Sequence, residues 1–198
     1  GQRYARPESA EVYELGMKMR LPNGYLNITA FKQEIEDFQS NVFVSSGFIL
    51  ANAGLQSSEG FEFDLLFSPV PSIDISLGGL VMDSNYDSFV GSSAGDMSGT
   101  KPENVHDDSF TSSITWNWTR GQTDGYIRLN HLYSGPTWTR LNPADNDVMC
   151  AAGFCQKTKD TLNFSAGMTM GNLDIILYGN NINDDEYLMA TFSEVGDP

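Results

Sequence analysis

The residues that could carry metal or redox chemistry are few. The chain has two cysteines, Cys150 and Cys155, and two histidines, His106 and His131. Only Ala-Ala-Gly-Phe separates the cysteines, and this spacing predicts a small disulfide loop, with free thiols as the alternative. A zinc site needs a full tetrahedral set of ligands, and both histidines lie on other segments. We therefore expect no metal site.

Catalytic arrangements are also missing from the sequence. No serine or cysteine can be placed with His106 as nucleophile, base and orienter. The segment Asp83-Ser84-Asn85-Tyr86-Asp87 begins like a calcium loop. However, Ser88 stands where the sharp-turn glycine is needed and Ala94 where the bidentate glutamate is needed, so we interpret it as an ordinary loop. We predict a protein that is not an enzyme and has no cofactor.

The dominant pattern is an alternation of apolar and polar residues. Between positions 61 and 68, Phe61, Phe63, Leu65 and Phe67 alternate with Glu62, Asp64, Leu66 and Ser68. Similar alternation recurs along the chain, and a period of two residues is typical of β-strands with one apolar face. Asn27, Asn117 and Asn163 match glycosylation sequons, but we expect them to supply a polar strand face.

The connections between these stretches are alternately short and long. Short connections are predicted at 22–24, 68–72, 120–125 and 171–172, and long ones at 35–56, 83–108 and 134–161. Bacterial outer-membrane barrels have short periplasmic turns and long external loops. The pattern therefore predicts an all-β fold: a segment of an antiparallel transmembrane β-barrel with about eight strands, short periplasmic turns and long extracellular loops.

In such a barrel the apolar face contacts lipid and the polar face lines a hydrated interior. Aromatic residues near the ends of the strands are candidates for the interfacial girdles, with ordinary core positions as the alternative. These candidates are Tyr25, Phe31, Trp116, Trp118, Tyr126, Tyr133 and Tyr178. We expect His131, which follows the apolar face of its strand, to be an interfacial residue.

Composition argues against a nucleic-acid partner and against a transmembrane helix. The formal net charge is −15, which opposes binding to the backbone of a nucleic acid. The longest apolar runs are far shorter than the roughly 20 residues of a transmembrane helix. No signal peptide begins at Gly1, so we expect that the exported protein starts upstream of it.

Two other folds could show the same alternation. One is a secreted β-sandwich that binds carbohydrate, in which the apolar faces pack against each other. The other is a small closed barrel, which requires pairing between the first and eighth strands. The regular rhythm of the connections favours the membrane-barrel interpretation over the sandwich.

Short motifs add a resemblance to a known family. In chain order these motifs are Pro7-Glu8 with Tyr13-Glu14-Leu15-Gly16, Asn52-Ala53-Gly54 with Glu59-Gly60-Phe61-Glu62, 99–105 (Gly-Thr-Lys-Pro-Glu-Asn-Val) and 181–187 (Asn-Ile-Asn-Asp-Asp-Glu-Tyr). They resemble strand entries and the near-terminal signature of TonB-dependent outer-membrane receptors, in the order that the family has.

The resemblance implies more than these residues show. Family members have a barrel of about 22 strands filled by an N-terminal plug. We therefore expect residues 1–198 to be a single partial barrel domain near the C-terminal end, without the plug or the final strand. By resemblance, the protein lies in the bacterial outer membrane and takes up a scarce nutrient such as an iron–siderophore complex. Its partners would be outer-membrane lipid, that small-molecule ligand and, through the plug, the energy-transducing TonB protein.

Overall fold

A computed structural model describes residues 5–44, 47–52, 54–92, 95–137, 151 and 158–187. This part of the chain forms ten β-strands. In chain order they are β1 (Ser9–Leu21), β2 (Gly24–Glu36), β3 (Gln39–Val44), β4 (Gly47–Asn52), β5 (Leu55–Val70), β6 (Ile73–Ser88), β7 (Asp108–Arg120), β8 (Thr123–Ser134), β9 (Lys159–Met170) and β10 (Leu173–Gly179).

Eight of these strands form one antiparallel sheet in the order β1-β2-β5-β6-β7-β8-β9-β10. The remaining two, β3 and β4, pair only with each other in a separate hairpin. The predicted antiparallel sheet of about eight strands is therefore confirmed. Since β1 and β10 are opposite ends of this order, the described strands do not form the seam that a small closed barrel needs.

The short connections predicted from the sequence are tight turns. Gly121 and Gly171 adopt φ values of +64° and +60°, which glycine tolerates because it lacks a Cβ. Of the predicted long connections, 35–56 contains the β3–β4 hairpin. The loop interpretation of Asp83–Asp87 was wrong: these residues extend β6, and Asp83 pairs with Glu59 of β5.

The register of the strands brings apolar residues opposite apolar residues, and polar residues opposite polar ones, over most of the sheet. One row of directly paired residues runs Met19, Leu26, Leu65 and Leu77. The adjacent row on the other face runs Lys18, Asn27, Asp64, Gly78 and Thr111. Because paired residues point to the same side of a sheet, the strands share an apolar face and a polar face.

The apolar face includes residues from all eight strands. Representative members are Leu15, Met17, Leu26, Ile28, Phe61, Phe63, Leu65, Ile75, Leu77, Ile114, Trp116, Trp118, Ile127, Leu129, Phe164, Met168, Ile175 and Leu177. The polar face includes Lys18, Asn27, Thr29, Glu62, Asp64, Asp74, Ser76, Thr115, Asn117, Asp124, Tyr126, Arg128, Asn130, Asn163, Ser165, Thr169, Asp174 and Tyr178.

A conventional protein core is small in this structure. Among the described residues, the buried hydrophobic side chains are Tyr86, Phe89 and Met97, with Phe38 packed against them. They lie beyond the apolar part of β6 rather than between two layers. Within the same described residues, no helix is long and apolar enough to cross a membrane.

Glycines on the strands make room for aromatic rings from neighbouring strands. A Cβ at Gly79 would overlap the ring of Phe63, its directly paired residue on the apolar face. Trp118 lies in the same way over Gly125, and Tyr126 lies over Gly167 on the polar face. Each ring thus covers the backbone of a glycine on the neighbouring strand. This contact fixes the register of the two strands, because a shifted strand would place a larger side chain under the ring.

This packing predicts a specific cost for Gly79→Ala. The added methyl should displace the Phe63 ring and lower the free energy of unfolding by about 1–3 kcal/mol, the usual range for overpacking. Denaturant unfolding in detergent, followed by tryptophan fluorescence, measures the change.

The control is Gly16→Ala on the edge strand, where the nearest atom would be Thr29 Oγ1 at an ordinary 3.6 Å. Adding Phe63→Leu to Gly79→Ala should recover part of the loss. Equal stability of the two alanine variants would contradict a packing role for Gly79.

Candidate functional site

The apolar face of the sheet is not covered by the rest of the described chain. Leu15, Phe61 and Leu177 are 80%, 64% and 66% exposed, respectively. Trp116 and Ile175 on the same face are also exposed. A continuous apolar surface of this kind needs an apolar environment. In a β-sandwich it would be packed against a second sheet, so the structure contradicts the sandwich alternative.

The height of the apolar face matches a bilayer. On β5 it extends from Phe61 to Val70, which is roughly 30 Å along the strand and roughly 23 Å across the membrane at the tilt typical of barrels. Charged residues begin directly beyond Phe61, where Glu59 pairs with Lys32 of β2 and with Asp83 of β6. The boundary of the apolar face is therefore sharp on the side away from the tight turns.

On the polar face, side chains bond across strands instead of pairing with charges of opposite sign. Both carboxylate oxygens of Asp74 accept hydrogen bonds: one from Ser68 Oγ at 2.6 Å and the other from Asn117 Nδ2 at 2.8 Å. Asp74 therefore joins β5, β6 and β7 near their turns. It also lies beside the β-bulge that accommodates Pro69, where the ladder of backbone bonds is interrupted.

Further carboxylates of this face have neutral partners on the neighbouring strand. Asn27 donates to Asp64 at 3.1 Å. Thr119 donates to Asp124 and Thr169 donates to Asp174, each at 2.7 Å. Carboxylates that keep unused acceptors and lack a cationic partner remain strongly hydrated. The face therefore has the character of a wall facing water, as the sequence predicted.

Beyond the charged boundary, the connection between β6 and β7 folds back onto β6. Gly99 N donates to Tyr86 O at 2.6 Å, and Tyr86 N donates to Thr100 O at 2.9 Å. The buried Tyr86, Phe89 and Met97 pack together under this bridge. Lys101 then pairs with Asp107 and, at 3.3 Å, with Asp83 of β6. The motif at 99–105 thus ties the loop to the strand that it follows.

Ionisation in this loop is affected by burial. Burial, with a smaller contribution from the Glu103 carboxylate, raises the pKa of Tyr86 to about 12. Burial also raises the pKa of Glu103 above its ordinary value. His106 Nδ1 donates to the Gly135 carbonyl at 2.6 Å, so this histidine is a structural contact between two loops.

The residue just before the first motif, Arg6, contacts the second motif. Asn52 binds the backbone of Arg6 on both sides: its Oδ1 accepts from Arg6 N at 2.7 Å, and its Nδ2 donates to Arg6 O at 3.0 Å. The guanidinium of Arg6 forms an ion pair with Asp37. The segment before β1 is therefore held against the base of the β3–β4 hairpin.

The motif at 181–187 has a comparable role beside β9. Asn183 Oδ1 accepts from Leu162 N at 2.8 Å, and Asn183 Nδ2 donates to Asp160 O at 2.6 Å. Asp185 Oδ2 accepts from Asp160 N at 2.7 Å. These side chains replace the backbone partners that a longer β10 would have offered, since β10 ends at Gly179.

The predicted site residues lie in different places. Cys150 and Cys155 fall outside the described residues, so their disulfide stays a prediction. His131 lies on the apolar face as expected, with Nε2 2.6 Å from Asp160 Oδ1.

Among the girdle candidates, Trp116, Trp118 and Tyr133 are on the apolar face, whereas Tyr25, Phe31, Tyr126 and Tyr178 are on the polar face. Sequence reasoning missed Arg6 and Arg128 and the contacts of Asn183, because all of these contacts join residues that are distant in the chain.

Comparison with known families agrees with this architecture. The family described as TonB dependent receptor-like, beta-barrel, matches residues 2–182. The chain belongs to this family of TonB-dependent receptor barrels. A search of curated proteins finds no match.

Several solved receptor and transporter structures share the fold at low sequence identity. The chain is similar to the ferric yersiniabactin uptake receptor FyuA from Yersinia pestis, with a TM-score of 0.77 and 22% identity over 94% of this chain and 27% of FyuA. It is also similar to the FrpB iron transporter from Neisseria meningitidis, with a TM-score of 0.67 and 17% identity over 92% of this chain and 28% of FrpB. For BauA, the ferric preacinetobactin receptor from Acinetobacter baumannii, the TM-score is 0.66 and the identity is 15% over 90% of this chain and 26% of BauA. The chain thus spans about a quarter of each of these structures.

The two faces of the receptor barrel should respond differently to a new charge. Leu65→Arg should destabilise the protein folded in bilayers by about 2–4 kcal/mol, because it places a cation in lipid near the middle of the apolar face. Ile75→Arg and Met168→Arg lie two residues from their turns and should destabilise it less. Thr169→Arg and Ser76→Arg on the polar face are the matched controls, and we expect them to be tolerated. Folding into vesicles of defined lipid measures both sets, and equal sensitivity of the two faces would contradict the assignment.

The contacts of Asp74 predict a larger effect than those of Asp124. Asp74→Ala leaves two donors on separate strands without their acceptor, whereas Asp124→Ala removes a single cross-strand contact. At about 1.5–3 kcal/mol for each hydrogen bond to a charged group, Asp74→Ala should destabilise the full-length receptor roughly twice as much. Denaturant unfolding in detergent measures the difference. A larger loss for Asp124→Ala would show that the bonds of Asp74 are not stabilising.

Proposed function

We propose that the chain is part of the wall of an outer-membrane receptor that takes up a scarce nutrient, such as an iron–siderophore complex. The observation that carries this proposal is that the eight strands of the sheet share one apolar face and one polar face. A wall of this kind separates lipid from a hydrated passage. Family membership supports the receptor class.

The proposed whole protein is larger than this segment. The segment would belong to a barrel of about 22 strands that encloses a plug. The small share of each similar structure that the chain covers supports this organisation. The two unpaired outer edges, β1 and β10, would then bond to further strands of the same barrel, as a membrane requires.

The choice of nutrient rests on the similar structures. Their names describe an uptake receptor for ferric yersiniabactin, a receptor for ferric preacinetobactin and an iron transporter. We infer that this protein also takes up an iron chelate, in the bacterial outer membrane, and that TonB supplies energy through the plug. The proposed activity requires no catalytic residue, and the net charge of −15 supports a protein that does not bind nucleic acid.

The test compares cells with and without the full-length receptor. Deleting its gene under iron limitation should reduce uptake of radioactive iron from at least one of three chelate classes: polycarboxylate, catecholate and neutral trihydroxamate. Expression of the receptor should restore uptake, and removal of TonB should abolish it. Unchanged uptake of all three classes after deletion, or recovery of the receptor in the soluble fraction, would contradict the proposal.

A further inference from the structure

One cation of the polar face, Arg128, has uncharged residues directly beside it. The carboxylate of Asp74, which lies in the same row beyond Thr115, is bonded to Ser68 and Asn117. Arg128 lies within β8, directly opposite Thr115 of β7 and Ser165 of β9. The next residues of this face along β8 are Tyr126 and Asn130. Arg128 therefore projects from a neutral, hydrogen-bonding part of the wall.

The base of the Arg128 side chain is held by contacts to two strands. Its Nε donates to Thr115 Oγ1 at 2.9 Å, and Thr115 is buried. Its guanidinium carbon lies 5.7 Å from the centre of the Tyr126 ring. That ring in turn occupies the space above Gly167, so it cannot settle closer to the sheet. These contacts restrict the rotamers of Arg128 before any ligand arrives.

The outer nitrogens of the guanidinium keep their hydrogen-bonding capacity. Within the described residues, no carboxylate lies within ion-pair distance of Arg128. Asp124, on the same face of the same strand, is bonded to Thr119 instead. A guanidinium whose Nε is already bound still offers its terminal N–H groups, which match a planar oxyanion.

We propose that Arg128 binds a carboxylate or comparable oxyanion of the transported ligand as it moves along the polar face. This inference rests on the proposed function and deepens it, because it assigns a negative charge to the transported chelate. The position suits a transient contact: the cation is exposed to the passage, and its neighbours offer neutral hydrogen bonds.

The test uses the full-length receptor in cells that lack other iron receptors, with the same three chelate classes. The native receptor should take up an anionic chelate. Arg128→Met should lower that uptake about tenfold or more, since a hydrogen bond to a charged group contributes about 1.5–3 kcal/mol. Arg128→Lys keeps the charge and should retain more uptake than Arg128→Met. The matched control is Arg120→Met, which removes the same charge at a turn and should leave uptake unchanged.

Each other result has a definite meaning. Uptake of the neutral trihydroxamate alone would overturn the inference and leave the proposed function intact, whereas uptake of no chelate would contradict the proposed function itself. An Arg128→Met receptor that transports an anionic chelate normally would also overturn the inference.

Discussion

The structure depends on one constraint: a chain in lipid must satisfy its backbone polar groups internally while exposing an apolar surface. Antiparallel pairing meets the first requirement, and strict alternation of side chains meets the second. Both operate together only if neighbouring strands keep the same phase, because a slip of one residue would move Leu65 and its neighbours to the polar face. Across the eight-stranded sheet the paired residues keep this phase, with register shifts in the β5–β6 pair at Leu55/Gln56 and Phe67/Val70.

The same constraint explains where side chains take the place of backbone hydrogen-bond partners. They do so beyond the ends of the apolar face. Asn52 binds the segment before β1, and Asn183 binds the edge of β9. The small core around Phe89 also lies beyond the charged boundary. There, water can solvate groups that the protein leaves unpaired, so irregular loops are allowed. Along the apolar face, the described strands keep their ladders except at the β5 bulge beside Pro69, and glycines such as Gly79 adjust the packing.

Much of the fold could be predicted from the sequence, because alternation and turn residues are local signals. They placed the tight turns and separated the two faces. Asp83–Asp87 was misinterpreted because alternation of apolar and polar residues stops at the charged boundary, although β6 continues to Ser88. The ring of Tyr126 over Gly167 and the contacts of Arg128 could not be predicted, since they depend on which residues face each other across strands. The motifs at 52–62 and 181–187 indicated the family without revealing that their asparagines bind neighbouring backbone.

The central claim is that consecutive residues of one strand face lipid and water in turn. Spin labels at each position from 61 to 67 of the full-length receptor, in native outer membranes, test it most directly. Collision with oxygen, which concentrates in lipid, should be high at 61, 63, 65 and 67. Collision with a water-soluble nickel complex should be higher at 62, 64 and 66. Two accessibilities that rise and fall together, or that show no period of two residues, would contradict the account.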